Sequence, residues 1–377
     1  MHLSSEGRAR AAGRMAVTSR GGVREAPQGR RVASDELAGD DRYSRQSRFW
    51  AIGPAGQERI RAGHVVVVGC GALGSAGISL LARAGVGRIT VVDRDFVELS
   101  NLQRQLLFEE ADAVAGVPKA IAAARAVARI NSSVEVRPFV ADVTAANVEG
   151  YVAGADVVLD GTDNFETRYL VNDACVKLGV PWVYGGAVGS TGMSMTIVPG
   201  ETACFRCLFP APPPVGSMET CETAGVLASC IVTIAAIQAA EALKILVGDL
   251  ENRSPGLTVV DVWTNDHVQA EGKPRAPACP CCGQRSFEYL DAVATSRTAS
   301  LCGRDAIQVS PGNAQSVDLA GLGRRLEATG PVTVSDYLVR CRADGHEMTV
   351  FADGRAIIKG TTDLAVARSL YARYVGT

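Results

Sequence analysis

Neither sign of charge dominates this chain: 38 lysines and arginines stand against 40 aspartates and glutamates. That balance removes any reason to expect a polyanion or an acidic membrane surface as the main partner, so nucleic acid is set aside. No apolar run is long enough for a bilayer. The longest, Ala224 to Ile237, leads straight into Gln238, Glu241 and Lys244 and reads as a buried core helix, so no membrane association is expected. A signal-peptide core is missing too: the first 31 residues carry seven arginines, only Glu6 and Glu25 as acids, and much Gly, Ser and Ala. Two readings of residues 1–40 stay open, a disordered leader upstream of a second start at Met15, or a transit peptide. The cytoplasm is the assigned compartment. Eleven cysteines in 377 residues are too few for a disulfide scaffold, and four of them fall in two Cys-x-x-Cys pairs, which points to metal or thiol chemistry.

What is present is a strand, turn, helix rhythm. Short apolar runs occur at His64–Val68, Arg88–Val92, Val134–Val140, Val157–Asp160, Pro181–Tyr184 and Met193–Val198, with helical stretches at Pro118–Ile130 and Phe165–Leu178 between them. Strands this short and unbroken, alternating with helices, predict an α/β fold: a Rossmann-like, doubly wound, mostly parallel sheet covered on both faces. After Pro199 a loop with prolines at 212, 213 and 214 precedes an apolar helix from about Gly225 to Val247. Residues 300–377 alternate strand-like runs (Ala306–Val309, Tyr337–Cys341, Met348–Phe351, Ala356–Lys359) with helical ones near Leu319–Ala328 and Asp363–Tyr374. The expected organisation is a leader over 1–40, a nucleotide-binding domain over 41–290 and a small α+β C-terminal domain over 300–377.

Gly69-Cys70-Gly71-Ala72-Leu73-Gly74 follows a strand and opens a helix, where backbone N–H groups can approach a phosphate and the helix N-terminus favours its charge. Asp93 closes the next strand, where an acid would accept hydrogen bonds from ribose hydroxyls. Taken alone, this pattern suits a nicotinamide or flavin as well as ATP. The segment Leu99-Ser100-Asn101-Leu102-Gln103-Arg104-Gln105, followed by Lys119, places two cations where a triphosphate needs them and a nicotinamide does not. Asp160-Gly161-Thr162-Asp163-Asn164 ends a strand at the edge where such sheets bind ligands, and a carboxylate there suits Mg²⁺. The plainer alternative makes Arg104 and Lys119 solvated charges and Asp163 a helix cap.

Together with Arg42-Tyr43-Ser44-Arg45-Gln46, Pro118-Lys119-Ala120 and the paired cysteines, these motifs resemble the ThiF/MoeB/HesA family over residues 41–290. The resemblance implies that Gly71, Ala72, Asp93, Asn101, Arg104, Lys119, Asp163 and Asn164 contact ATP or its Mg²⁺. Gly69 and Gly74 of the turn, and Ser100 and Gln105 beside Asn101, join the same site. Arg45 would reach into a neighbouring subunit, which implies a homodimer.

Cys204 and Cys207 with Cys279 and Cys282 have the spacing of a closed, structural Zn²⁺ site that staples a loop and takes no part in chemistry. Cys281, next to a ligand, could shift that register. Cys221 precedes the long helix and resembles the family's loop cysteine; a covalent link to a carrier and an inert thiol both stay open. Cys70, Cys175 and Cys230 lie in apolar contexts and read as core.

The reaction expected from the resemblance is adenylation. The C-terminal glycine carboxylate of a ubiquitin-like sulfur carrier protein attacks the α-phosphorus of ATP and releases pyrophosphate, and sulfur from a persulfide donor then displaces AMP. The catalytic set would be Arg45, Arg104, Lys119, Asp163 and Cys221. Three rival readings are a nicotinamide oxidoreductase, an activating enzyme for a small or tRNA-linked carboxylate, and a silent adaptor for a ubiquitin-like protein.

Overall fold

The computed structural model describes residues 41–211, 224–272, 275–291, 298–301, 306–310, 317–327 and 330–375. The leader and Cys221 lie outside these residues, as do the expectations placed on them.

The first sheet is built from β1 (His64–Val68), β2 (Arg88–Asp93), β3 (Glu135–Val140), β4 (Val157–Asp160), β5 (Trp182–Val188), β6 (Thr191–Ile197), β7 (Gly256–Asp261) and β8 (Asp266–Glu271). Their order is β3-β2-β1-β4-β5-β6-β7-β8. The pairings from β3 through β5 are parallel, whereas β5 to β8 form an antiparallel meander. Because both faces are covered, β1 can be valine at every position after His64. Val65 and Val67 face a core with Ile78, Leu81, Ala123 and Ala242, while Val66 and Val68 face Tyr169, Ala174 and Trp182.

Helix Ala72–Ala84 stops at Gly85, whose φ of 82° suits only glycine well, and a Cβ there would lie 2.5 Å from the Tyr43 ring. Asn131 donates to the Tyr43 hydroxyl at 2.7 Å, so the Arg42–Gln46 segment is anchored to the same helix end. Ala228–Val247 is the one helix among the described residues long and apolar enough to cross a membrane. It packs instead between helix Ala72–Ala84 and the sheet, and its Gln238 and Glu241 are buried with polar partners. The core-helix expectation holds.

The second sheet contains β9 (Thr298–Leu301), β10 (Ala306–Val309), β11 (Val332–Val334), β12 (Leu338–Ala343), β13 (His346–Phe351) and β14 (Ala356–Lys359) in the order β11-β12-β13-β14-β10-β9. Every pairing is antiparallel. Strand alternation divides its apolar residues between two partners. Ile307, Val339, Val350 and Ile358 pack with helices Leu319–Leu326 and Leu364–Tyr374, whereas Ala306, Leu338, Phe351 and Ile357 pack with Phe96, in the segment after β2, and with Val140 of β3.

Candidate active site and cysteine cluster

The glycine turn and the β4 turn are interlocked at the carboxyl ends of β1 and β4. Gly69 donates to Val92 O and Gly161 to Val68 O, each at 2.8 Å. A Cβ on Gly74 would lie 2.0 Å from Gly69 O, and one on Gly161 would lie 2.3 Å from the same oxygen. No side chain fits there. With Gly71 as an uncapped N-cap, the first N–H groups of helix Ala72–Ala84 have no side-chain partner. That is the cradle a phosphate requires.

Asp93 holds the turn from beneath: its carboxylate accepts from the Cys70 N–H at 2.6 Å and the Asp95 N–H at 2.7 Å. Burial raises its pKa, and the nearby Lys119 opposes that rise. Two lone-pair positions remain for a ribose. Lys119 is buried and pairs with Asp95 at 3.1 Å, so it is not a solvated charge. Asn101 and Gln105 are buried; Asn101 Oδ1 accepts from the Glu98 N–H at 3.2 Å, and Gln105 Oε1 is buried with no hydrogen-bond partner among the described residues. Arg104 is half-buried and donates to Ser100 O at 3.0 Å; Ser100 itself is exposed.

Asp163 is exposed. It is not the helix cap, because Asn164 fills that role by accepting from the Thr167 N–H at 2.9 Å. The field of Asp163 reaches Arg94 and Arg168, whose pKa values stand above the ordinary value. Burial acts against that rise, and carboxylates around each, led by Asp142 and Asp160 respectively, outweigh it. These two arginines, with Asp95, were not singled out in the sequence. Arg45 lies on the short helix Ser44–Ser47; it is exposed and has no partner among the described residues. Phe49 and Trp50 beside it are 52 % and 50 % exposed.

The four sulfurs of Cys204, Cys207, Cys279 and Cys282 all lie within 4.8 Å of one another. Cys204–Cys207, Cys204–Cys279 and Cys207–Cys282 are 3.9, 3.7 and 3.4 Å apart. A tetrahedral ion with bonds of about 2.3 Å to sulfur sets its ligands about 3.8 Å apart, so the cage fits Zn²⁺. Cys281 is not one of the four clustered sulfurs; its own sulfur accepts from Asn172 Nδ2 at 3.1 Å. Cys70, Cys175 and Cys230 are buried, as a core role requires.

The sequence profile of the ThiF family matches residues 43–281. The chain belongs to the ThiF family. It is 43% identical over 337 residues to the sulfur carrier protein ThiS adenylyltransferase of Bacillus subtilis, covering 89% of this chain and 99% of that one. A match so long necessarily runs past the ThiF portion into the second sheet. The SAMP-activating enzyme E1 of Haloferax volcanii is 44% identical over 255 residues, 67% of this chain and 93% of that one. Among solved structures, E. coli MccB with ATP superposes with a TM-score of 0.58 at 25% identity, over 66% of this chain and 76% of that one. The resemblance in the motifs is thereby established for the family, and the cradle described above falls within its ThiF portion.

Proposed function

We propose that this enzyme is an adenylyltransferase that activates the C-terminal glycine carboxylate of a ubiquitin-like sulfur carrier of the ThiS type, with ATP and Mg²⁺. The observation that carries the reading is the phosphate cradle of Gly69, Gly74 and Gly161, set beside the buried cation Lys119. The long match to a ThiS adenylyltransferase favours a ThiS-type carrier over a molybdopterin-type one.

A carboxylate is already a nucleophile at neutral pH, so no general base is needed and the protein's contribution is positioning plus neutralisation of charge. The first turn of helix Ala72–Ala84 would hold phosphate oxygens, Asp93 the ribose hydroxyls, and Asn101 and Gln105 polar groups of the nucleotide. Lys119 and Arg104 would offset charge on the phosphates, and Asp163, exposed at the sheet edge, would hold Mg²⁺. Asn164 would lend the amide nitrogen that its capping role leaves over. Once pyrophosphate has left, sulfur from a persulfide donor attacks the acyl carbon and AMP departs, directly or by way of Cys221.

Arg45 would act in the other subunit of a homodimer. Its exposure beside Phe49 and Trp50 supports a face covered by a second copy. The cysteine cage would hold Zn²⁺ as a staple between the helix Phe205–Leu208 and the segment carrying Cys279 and Cys282. The cytoplasm, where persulfide donors and reduced thiols coexist, is the compartment this chemistry suits. Incubation with ATP, Mg²⁺ and a purified ThiS-type carrier should yield adenylated carrier by intact mass. No mass change with any ubiquitin-like carrier would refute the reading.

A further inference from the structure

The second sheet grips the segment after β2 that leads into the candidate nucleotide site. The Phe96 ring meets two cations of the second sheet: the Arg340 guanidinium is 4.5 Å from the ring centre and the Lys359 Nζ is 5.5 Å from it. The ring also packs on Phe351 with centroids 6.3 Å apart. Two residues on, Glu98 forms an ion pair with Lys359, which also approaches Glu347 at 3.5 Å. A polar hollow of about 360 Å³, lined by Glu98, Ser100, Arg340, Glu347 and Lys359 among others, marks this junction. Glu98 and Glu347 there are paired with Lys359, whereas Arg340 Nε and Nη2 are buried with no hydrogen-bond partner among the described residues.

Glu98 is the N-cap of the turn Leu99–Asn101. Its N–H donates to Asn101 Oδ1 at 3.2 Å, and its carbonyl accepts from the Asn101 N–H at 2.9 Å. The same segment is tied to the start of the Lys119 helix: Val97 N–H donates to Val117 O and Lys119 N–H to Asp95 O, each at 2.9 Å. A single short segment, Asp95 to Asn101, therefore sets the position of Asn101 and Ser100 on one side and of Lys119 on the other. Two cations of the second sheet reach it: Arg340 lies over the Phe96 ring, and Lys359 forms an ion pair with Glu98.

Resting on the ATP-site reading above, we propose that Lys359 is a positioning residue for the nucleotide, holding Glu98 so that the Asp95–Asn101 segment presents Asn101, Arg104 and Lys119 in register with the glycine cradle. The second sheet is then part of the nucleotide-binding apparatus, although it lies outside the 43–281 span of the family profile.

The test uses the full chain, its carrier and ATP, with ATP binding measured separately from turnover. Lys359→Met should raise the KM for ATP about tenfold, within the range of coupling between contacting residues, and leave the KM for carrier unchanged. Lys359→Arg should restore it, because a guanidinium still reaches Glu98. Glu98→Gln should reproduce the defect, and the double variant should be no worse than either single one. As a control, Arg373→Ala breaks an exposed pair with Asp344 on the same domain and should not alter the KM for ATP. The proposal is overturned if folded Lys359→Met or Glu98→Gln keeps the wild-type KM for ATP, or if the two losses multiply in the double variant. Wild-type protein that bound no ATP at all would overturn the ATP-site reading and this proposal with it; wild-type binding with unaffected variants would overturn this proposal alone.

Discussion

Asp160 and Arg168, eight residues apart and both buried, meet at 3.0 Å and close the edge of the sheet where the candidate site lies. The guanidinium also donates to Thr162 O at 2.7 Å and Gly185 O at 3.1 Å, binding the β4 turn to β5. Asp160 in turn accepts from the Thr162 hydroxyl at 2.7 Å and backbone N–H at 2.9 Å. The turn that carries Asp163 is rigid for this reason.

Arg168→Met should strand a buried carboxylate and cost about 3–5 kcal/mol, since removing one partner of a buried pair leaves its charge uncompensated. Arg168→Lys keeps the charge but not the fork to Thr162 and Gly185, so it should recover only part of the loss. Chemical denaturation of the three proteins checks the order.

Purified protein should hold one zinc per chain. Cys204→Ser or Cys279→Ser should lower metal content and melting temperature together, because metal binding is coupled to folding. Cys281→Ser should keep the metal, as its sulfur faces Asn172. A metal-free protein that melts at the wild-type temperature would show that the cage is not structural.

Cys221→Ser should leave adenylation intact, because no thiol takes part in that step. Sulfur delivery to the carrier should fall if the thiol forms a covalent link. Parallel assays of adenylate formation and carrier thiocarboxylate separate the two steps.

Arg45→Ala and Asp163→Ala should each be nearly inactive as homodimers. In a mixed dimer one site collects both lesions and the other has neither. Random re-pairing makes half the dimers mixed, so about a quarter of wild-type activity should return. Confirmed subunit exchange without recovery would place Arg45 within its own site or outside the chemistry.

Much of this was legible in the sequence because the strands are apolar and short. The runs at His64–Val68, Val157–Asp160, Ala306–Val309 and Ala356–Lys359 appear with the same limits in the structure. β8 was not found: Asp-His-Val-Gln-Ala-Glu is an exposed edge strand with no apolar face to generate a period of two. β7 escaped for a related reason, since only part of it is buried. The long helix begins at Ala228, three residues later than expected, because Gly225 has a φ of 71° and cannot start it. Of the site, the glycines and motif residues were readable because backbone geometry demands them. Arg94, Asp95, Arg168 and Gln238 were not, because their roles depend on partners brought together by the sheet. Gln238 illustrates the point: it donates to Asp160 O at 2.8 Å across 78 residues, a contact no local pattern announces.

The most direct measurement is carrier-dependent exchange of labelled pyrophosphate into ATP, made with wild type, Asp163→Ala and a carrier lacking its terminal glycine. The account predicts exchange that needs the intact carrier and Mg²⁺ and disappears in Asp163→Ala. Exchange that survives without the carrier's terminal carboxylate, or tight NADH binding with no exchange, would contradict it.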